Sequence, residues 1–183
     1  SVGLGSIAAV ASDRKIGVLW FDTHGDFNTH ETTLSGNVHG MPLAALAGYG
    51  HPDLVSIGGW RGLGPAVDPA NVVIVGAREL DPAERDLLES AGVTVFSVPV
   101  IDRYGIRRVM ERAIEIASQG TEGIHASFDL DVMDPTVAPG VGTPSPGGLT
   151  VREGHLLMEL LAESGKLVGL DVVEVNPILD QRN

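Results

Sequence analysis

The sequence predicts an α/β fold, three-layer αβα with a mainly parallel sheet. Strand-like and helix-like segments alternate along the chain. The strand-like runs are apolar throughout, rather than alternating apolar with polar, as strands covered on both faces require. No internal repeat, low-complexity tract or linker interrupts the 183 residues. One domain over residues 1–183 is therefore expected.

Each element has its own local reason. Residues 16–21 (IGVLWF) read as a buried strand, and 22–39 as a polar loop rich in Thr, Asn and Gly. MPLAALAG, 41–48, suggests a short helix. DLVSIGG (53–59) and NVVIVGA (71–77) are strand-like and stopped by glycine. DPAERDLLESAG (81–92) opens on Asp-Pro and closes on Gly92, which are helix start and stop signals. VTVFSV (93–98) reads as a strand. Residues 102–120 read as an amphipathic helix, with apolar side chains at 106, 109, 110, 113, 114 and 117. EGIHASF (122–128) is a strand. Residues 150–164 form a helix opened by Thr150 and Glu153 at capping-box spacing. KLVGLDVVEV (166–175) is a last strand, closed by Asn176-Pro177.

Composition narrows the function. Hydrophobic residues make up 43% of the chain, enough for a proper core, and there is no cysteine. That excludes disulfides and thiolate metal sites. A formal net charge of −12 argues against nucleic-acid binding, which needs clustered Lys and Arg. No apolar run approaches the roughly 20 residues of a membrane span, and the N-terminus has no basic-then-apolar leader pattern. A cytoplasmic protein with neither nucleic-acid nor membrane partners is the expectation.

The chemistry concentrates at strand ends, where ligands bind in such sheets. Asp22, His24 and Asp26 follow VLWF, Asp129 and Asp131 follow HASF, and Glu174 sits late in LVGLDVVEV. In an extended chain, residues two apart point the same way, so each group can converge. Crowded carboxylates repel, and some must take up protons unless cations intervene. A donor set of carboxylate and imidazole without sulfur suits Mn²⁺ ahead of Zn²⁺, Fe²⁺ or Co²⁺. Four carboxylates exceed what one ion usually takes, so two bridged ions are expected. Caps and turns are the bland reading of a lone D-x-H-x-D; the second D-x-D at another strand end weighs against it.

DTHGDFNTHETTLSGNVHG, SFDLDVMDP and GLDVVEVNP, in this order, resemble the signatures of the ureohydrolases, the arginase and agmatinase enzymes, most closely the bacterial arginase branch. GAREL-DPAERDLL and GTPSPGGLTVREG extend the likeness over nearly the whole chain. The resemblance implies an arginase-like fold and two Mn²⁺ ions bridged by Asp22 and Asp129, with Asp26 on one ion and His24 and Asp131 on the other. It implies hydrolysis of L-arginine to L-ornithine and urea by a metal-bridging hydroxide. His39 resembles the family's proton shuttle, and Glu174 the carboxylate that holds the guanidinium. Asn28, Ser35 and Asn37 stand where arginases read the substrate carboxylate, and Asp81 and Glu84 where they read its amino group. Loop formation and helix capping are the plainer readings of those five. Agmatinase, another guanidino-amine ureohydrolase or an inactive fragment are the alternatives. Thr23 and Phe27 depart from the family pattern, and Glu79 has no assigned role. The likeness further implies that the chain starts just after a Gly-Gly-Asp-His signature, whose histidine completes the first metal site. It would likewise stop before a final helix, leaving the fold incomplete at both ends. Trimers or hexamers are the family's usual assembly. His30, His51, His125 and His155, with Trp20 and Trp60, read as loop or packing residues.

Overall fold

The computed structural model describes residues 2–57 and 64–180. At the centre of the sheet is β1 (Ile16–Phe21), whose six residues are all buried. It lies between β2 (Val72–Ala77) and β4 (Gly123–Asp129), which are equally buried. β3 (Thr94–Ser97) and β5 (Leu167–Val173) form the edges, in the order β3-β2-β1-β4-β5, and every neighbouring pair is parallel. Side chains alternate between two cores. Ile16, Val18, Trp20, Val72 and Ile74 pack against α1 (Val2–Ala11), α2 (Pro42–Leu46) and Leu88 of α4 (Pro82–Ala91). Leu19, Phe21, Val73, Val75, Ile124, Ala126 and Phe128 face α5 (Val98–Tyr104), α6 (Ile106–Ala117) and α7 (Val151–Glu163). The Phe21 and Phe128 rings lie 5.9 Å apart across β1 and β4. Full burial of such side chains is worth about 1.5–3 kcal/mol each.

Strand order explains where a crevice opens. From β1 the chain steps to β2 and β3 with its helices on one face, then returns to β4 and β5 with its helices on the other. Right-handed crossovers demand that change of face when the direction of travel reverses. The reversal puts β1 beside β4 with diverging connections, which is the topological switch point where ligands bind. In this register Phe21 pairs with Phe128, so Asp22 and Asp129 leave the sheet side by side.

Two expected elements differ. Residues 53–57 do not form a strand: α3 (Pro52–Val55) is a short helix, and residues 58 and 59 lie outside the described residues, as does Trp60. Pro52 stands at its first turn, and the His51 ring accepts the Asp53 N–H at 3.3 Å. A proline-initiated, side-chain-capped turn prevails over the strand preference of a few aliphatic residues. The helix expected over 102–120 is two. It begins early, at Val98, and breaks at Gly105, whose φ of 80° and ψ of 146° no helix contains. The apolar stripe of α6 is buried as expected, at Ile106, Val109, Met110, Ala113 and Ala117. The Thr150–Glu153 capping box is present at α7.

Candidate active site

The acids at the ends of β1 and β4 meet at the switch point, but the chain is not extended there. Asp131 lies in a 3₁₀ turn (Leu130–Val132), whose first N–H groups fold back so that Asp129 accepts the Asp131 N–H at 2.8 Å. Asp26 has φ of 49°, a left-handed conformation uncommon outside glycine, while its carbonyl caps α2 by accepting the N–H groups of Leu43 and Ala44. Glu174, just past β5, is likewise left-handed at φ 59°. Strict alternation thus does not bring the groups together; turns do. The reason is that both strands end where the sheet loses its pairing partner, so the backbone satisfies itself through local turns.

Among the described residues, ligand atoms of Asp22, His24 and Asp131 lie within 4.8 Å of one another. The His24 Nδ1 is 3.3 Å from Asp22 Oδ1 and 3.1 Å from Asp131 Oδ2. Asp26, Asp129 and Glu174 are not in that trio. They join His24, Asp131, His39, Thr143 and Val173 around a small inner pocket. A wider cleft shares His24, Asp26, His39 and Thr143 and reaches outward to Asn28, Ser35, Asn37, Glu79, Asp81 and Glu84. All twelve residues singled out from the sequence except Asp22 line one cavity or the other, and Asp22 lies directly beneath them.

Burial and mutual repulsion shift the ionisation of these groups. Burial pushes Asp22 up to about 6 and, helped by Asp22 and Asp131, Asp129 up to about 9. Asp26 is held well above the usual carboxylate range by desolvation and by Asp22 and Asp129. Burial disfavours the imidazolium of His24, yet hydrogen bonds to Asp131 and Asp22 outweigh it and raise the ring to about 11. The same bond to His24 overcomes desolvation at Asp131 and lowers its pKa. The His24 ring is wedged between the carboxylates of Asp22 and Asp131. A divalent ion fits the same donors and removes the same repulsion.

Neighbours fix the orientation of these carboxylates. Trp20 Nε1 donates to Asp22 Oδ2 at 2.9 Å, and the His24 N–H to Asp22 Oδ1 at 2.6 Å. Asp131 accepts the Thr23 N–H at 3.2 Å and the Thr143 hydroxyl at 3.1 Å. The Thr23 hydroxyl donates to the Asp131 carbonyl at 2.6 Å. Sequence reasoning passed over these groups: Trp20 read as packing alone and Thr23 as a mere departure. The spacing Trp-x-Asp at a strand end, which puts both side chains on one face, was the available signal.

In the outer cleft, Asn28 is buried and committed at both ends. Its amide donates to Asp81 Oδ2 at 3.0 Å, and its carbonyl accepts the Thr32 hydroxyl at 2.9 Å. Glu84 is also buried: one oxygen accepts the Phe27 N–H at 2.9 Å, the other the Asp81 N–H at 3.3 Å in a capping box. Ser35, Asn37 and His39 are exposed on the cleft rim, with His39 in a 3₁₀ turn over Val38–Gly40. His125 is a buried strand residue, His155 lies in α7, and the His30 and His51 rings contact edge-on at 5.4 Å.

Known proteins resemble this chain along its whole length. The family model described as "Arginase family" matches residues 1–183. An arginase of Bacillus caldovelox is 50% identical over the whole chain, and one of Brevibacillus brevis 52%. The solved native structure of the Bacillus caldovelox arginase superposes with a TM-score of 0.94 at 49% identity over 99% of the chain. The chain spans about 60% of the length of these relatives. No helix among the described residues is long and apolar enough to cross a membrane. A match that runs from the first residue to the last, with relatives about 50% identical throughout, means that the chain belongs to the arginase family.

Proposed function

We propose that this site hydrolyses the guanidinium group of L-arginine to L-ornithine and urea with two Mn²⁺ ions. The observation that carries the reading is the nesting of two cavities. An inner pocket lined by His24, Asp26, His39, Asp129, Asp131 and Glu174 opens through shared walls into a cleft lined by Asn28, Ser35, Asn37, Asp81 and Glu84. One end suits cations and a guanidinium, the other an amino acid's α-substituents. The relatives named as arginases support the same substrate.

Asp22, His24, Asp26, Asp129 and Asp131 would hold the ions. Bound there, the ions would supply an activated water and electrostatic stabilisation of developing charge. The residues of the chain do the rest. Glu174 pairs with the substrate guanidinium and orients its carbon toward the carboxylates. His39, on the rim common to both cavities, delivers a proton to the leaving nitrogen as the C–N bond breaks, so the amine departs neutral. Ser35, Asn37 and Asn28 offer neutral donors to the α-carboxylate. Asp81 accepts from the α-amino group, with Glu84 behind it. A single domain over residues 1–183, a trimeric or hexameric assembly and a cytoplasmic location complete the proposal.

Urea release by the full-length protein, with Mn²⁺ and with arginine, agmatine or guanidinobutyrate, tests it. Arginine should be the preferred substrate, and Asn28→Ala should reduce its kcat/KM about 10-fold or more while touching agmatine less. Faster turnover of agmatine than of arginine would overturn the assignment of the carboxylate readers.

A further inference from the structure

Arg78 stands one residue past β2, outside every role given above, and its surroundings are unusual for a cation. Among the described residues it forms no ion pair with a carboxylate. Its guanidinium instead faces main-chain carbonyls. Nη2 donates to Asp131 at 2.8 Å, Ser145 at 2.7 Å and Met133 at 3.5 Å. Nη1 donates to Gly76 and Val132, each at 3.3 Å. Nε is buried without a hydrogen-bond partner. Burying part of a guanidinium with an unpaired N–H costs free energy that its remaining hydrogen bonds must offset.

What those contacts join is specific. Residues 131–133 carry the candidate ligand Asp131 and the turn that aims it. Ser145 belongs to the wall Thr143–Pro146 of the outer cleft, and Thr143 donates to Asp131 Oδ2. The main chain of Arg78 also donates to the Thr23 carbonyl at 2.9 Å, and Thr23 in turn holds Asp131 through its own N–H and hydroxyl. One planar fork thus ties the end of β2, the Asp131 turn and the cleft wall together.

We propose that Arg78 is a positioning residue that sets Asp131 against its ion and the 143–146 wall against the substrate as a single unit. The inference rests on the reading of Asp131 as a metal ligand. A lysine does not substitute. Its ammonium is a compact point with three donors, whereas the guanidinium holds its donors in a fixed plane, and the four N–H groups of Nη1 and Nη2 reach five carbonyls at once.

The test uses the full-length protein with Arg78→Lys and Arg78→Met. Mn²⁺ titration followed by electron paramagnetic resonance should show one of two ions weakened about 10- to 100-fold, the range for loss of an outer-shell partner. Hydrogen exchange should lose protection selectively in residues 129–134 and 141–149, with other strands unchanged. KM for arginine should rise together with a fall in kcat, since wall and ligand move together. If Arg78→Met fails to fold, Arg78→Lys, which keeps the stem and the charge, carries the test. Wild-type Mn²⁺ affinity and unchanged exchange in both segments of Arg78→Lys would overturn the proposal. Should neither wild type nor variant bind Mn²⁺, the metal reading fails, and hydrogen exchange alone decides whether Arg78 holds the two segments.

Discussion

At the residue scale, the site is a set of carboxylates kept apart from bulk water and from their usual ionisation. Burial raises Asp129 to about 9 and His24's two carboxylate partners raise its ring to about 11, while burial, with Asp22 and Asp129 close by, holds Asp26 above the usual carboxylate range. Ions that take these donors must displace protons from them. We therefore expect Mn²⁺ affinity to rise with pH between about 6 and 9, with net proton release. Calorimetry in buffers of different ionisation enthalpy measures the protons released; a flat affinity with none released would contradict the electrostatic picture. Stability of the metal-free protein changes in the opposite direction. A carboxylate at 3.8 unfolded and about 9 folded binds more protons in the folded state, so the metal-free protein loses stability as pH rises through that window. Which acids exist was legible in the motifs. Which of them hold protons was not, because burial and mutual repulsion depend on distances across strands far apart in sequence.

At the element scale, β1 was legible because its residues are apolar or glycine throughout, and β4 because Ile124, Ala126 and Phe128 alternate toward one core before the acid that ends it. α3 and the break at Gly105 were not. In each case a short local signal, Pro52 at a helix start or a glycine with positive φ, opposed the regional pattern. Helix contact on β1 is tightest at Gly17. A Cβ there would stand 2.0 Å from the carbonyl oxygen of Ala117, at the end of α6. That neighbour is backbone and does not rotate away. Gly17→Ala should therefore destabilise at or beyond the upper end of the roughly 1–3 kcal/mol typical of overpacking. Urea unfolding checks this; a midpoint shift worth under about 0.5 kcal/mol at constant m would show that α6 slides freely.

At the scale of the whole molecule, charge and shape pull in different directions. The sequence pI is about 4.7, and the net charge of −12 keeps copies apart near neutrality. β5 departs from the other strands: Leu167, Val168, Leu170 and Val172 are 37–55% exposed, and Val172 and Val175 line an apolar groove beside Met158 of α7. An exposed apolar edge strand templates association. The 183-residue chain should scatter light most strongly as pH approaches about 4.7, and Leu170→Glu with Val172→Glu should suppress that scattering. Equal turbidity in the double variant would place the sticky surface elsewhere. The exposure of β5 was not legible, because its run of aliphatic residues reads like that of a central strand.

The sequence by itself determined the fold class, the order of most elements and the identity of the candidate ligands. Those depend on local patterns: apolar runs, caps and acids at strand ends. Only the tertiary structure decided how the ligands meet. Parallel pairing in the order β3-β2-β1-β4-β5 sets Asp22 beside Asp129. A left-handed turn swings Asp26 inward, and Arg78, silent as a motif residue, gathers carbonyls from positions 76 to 145. Such contacts join residues tens of positions apart, and local preference along the chain carries no information about which distant carbonyl a donor will reach.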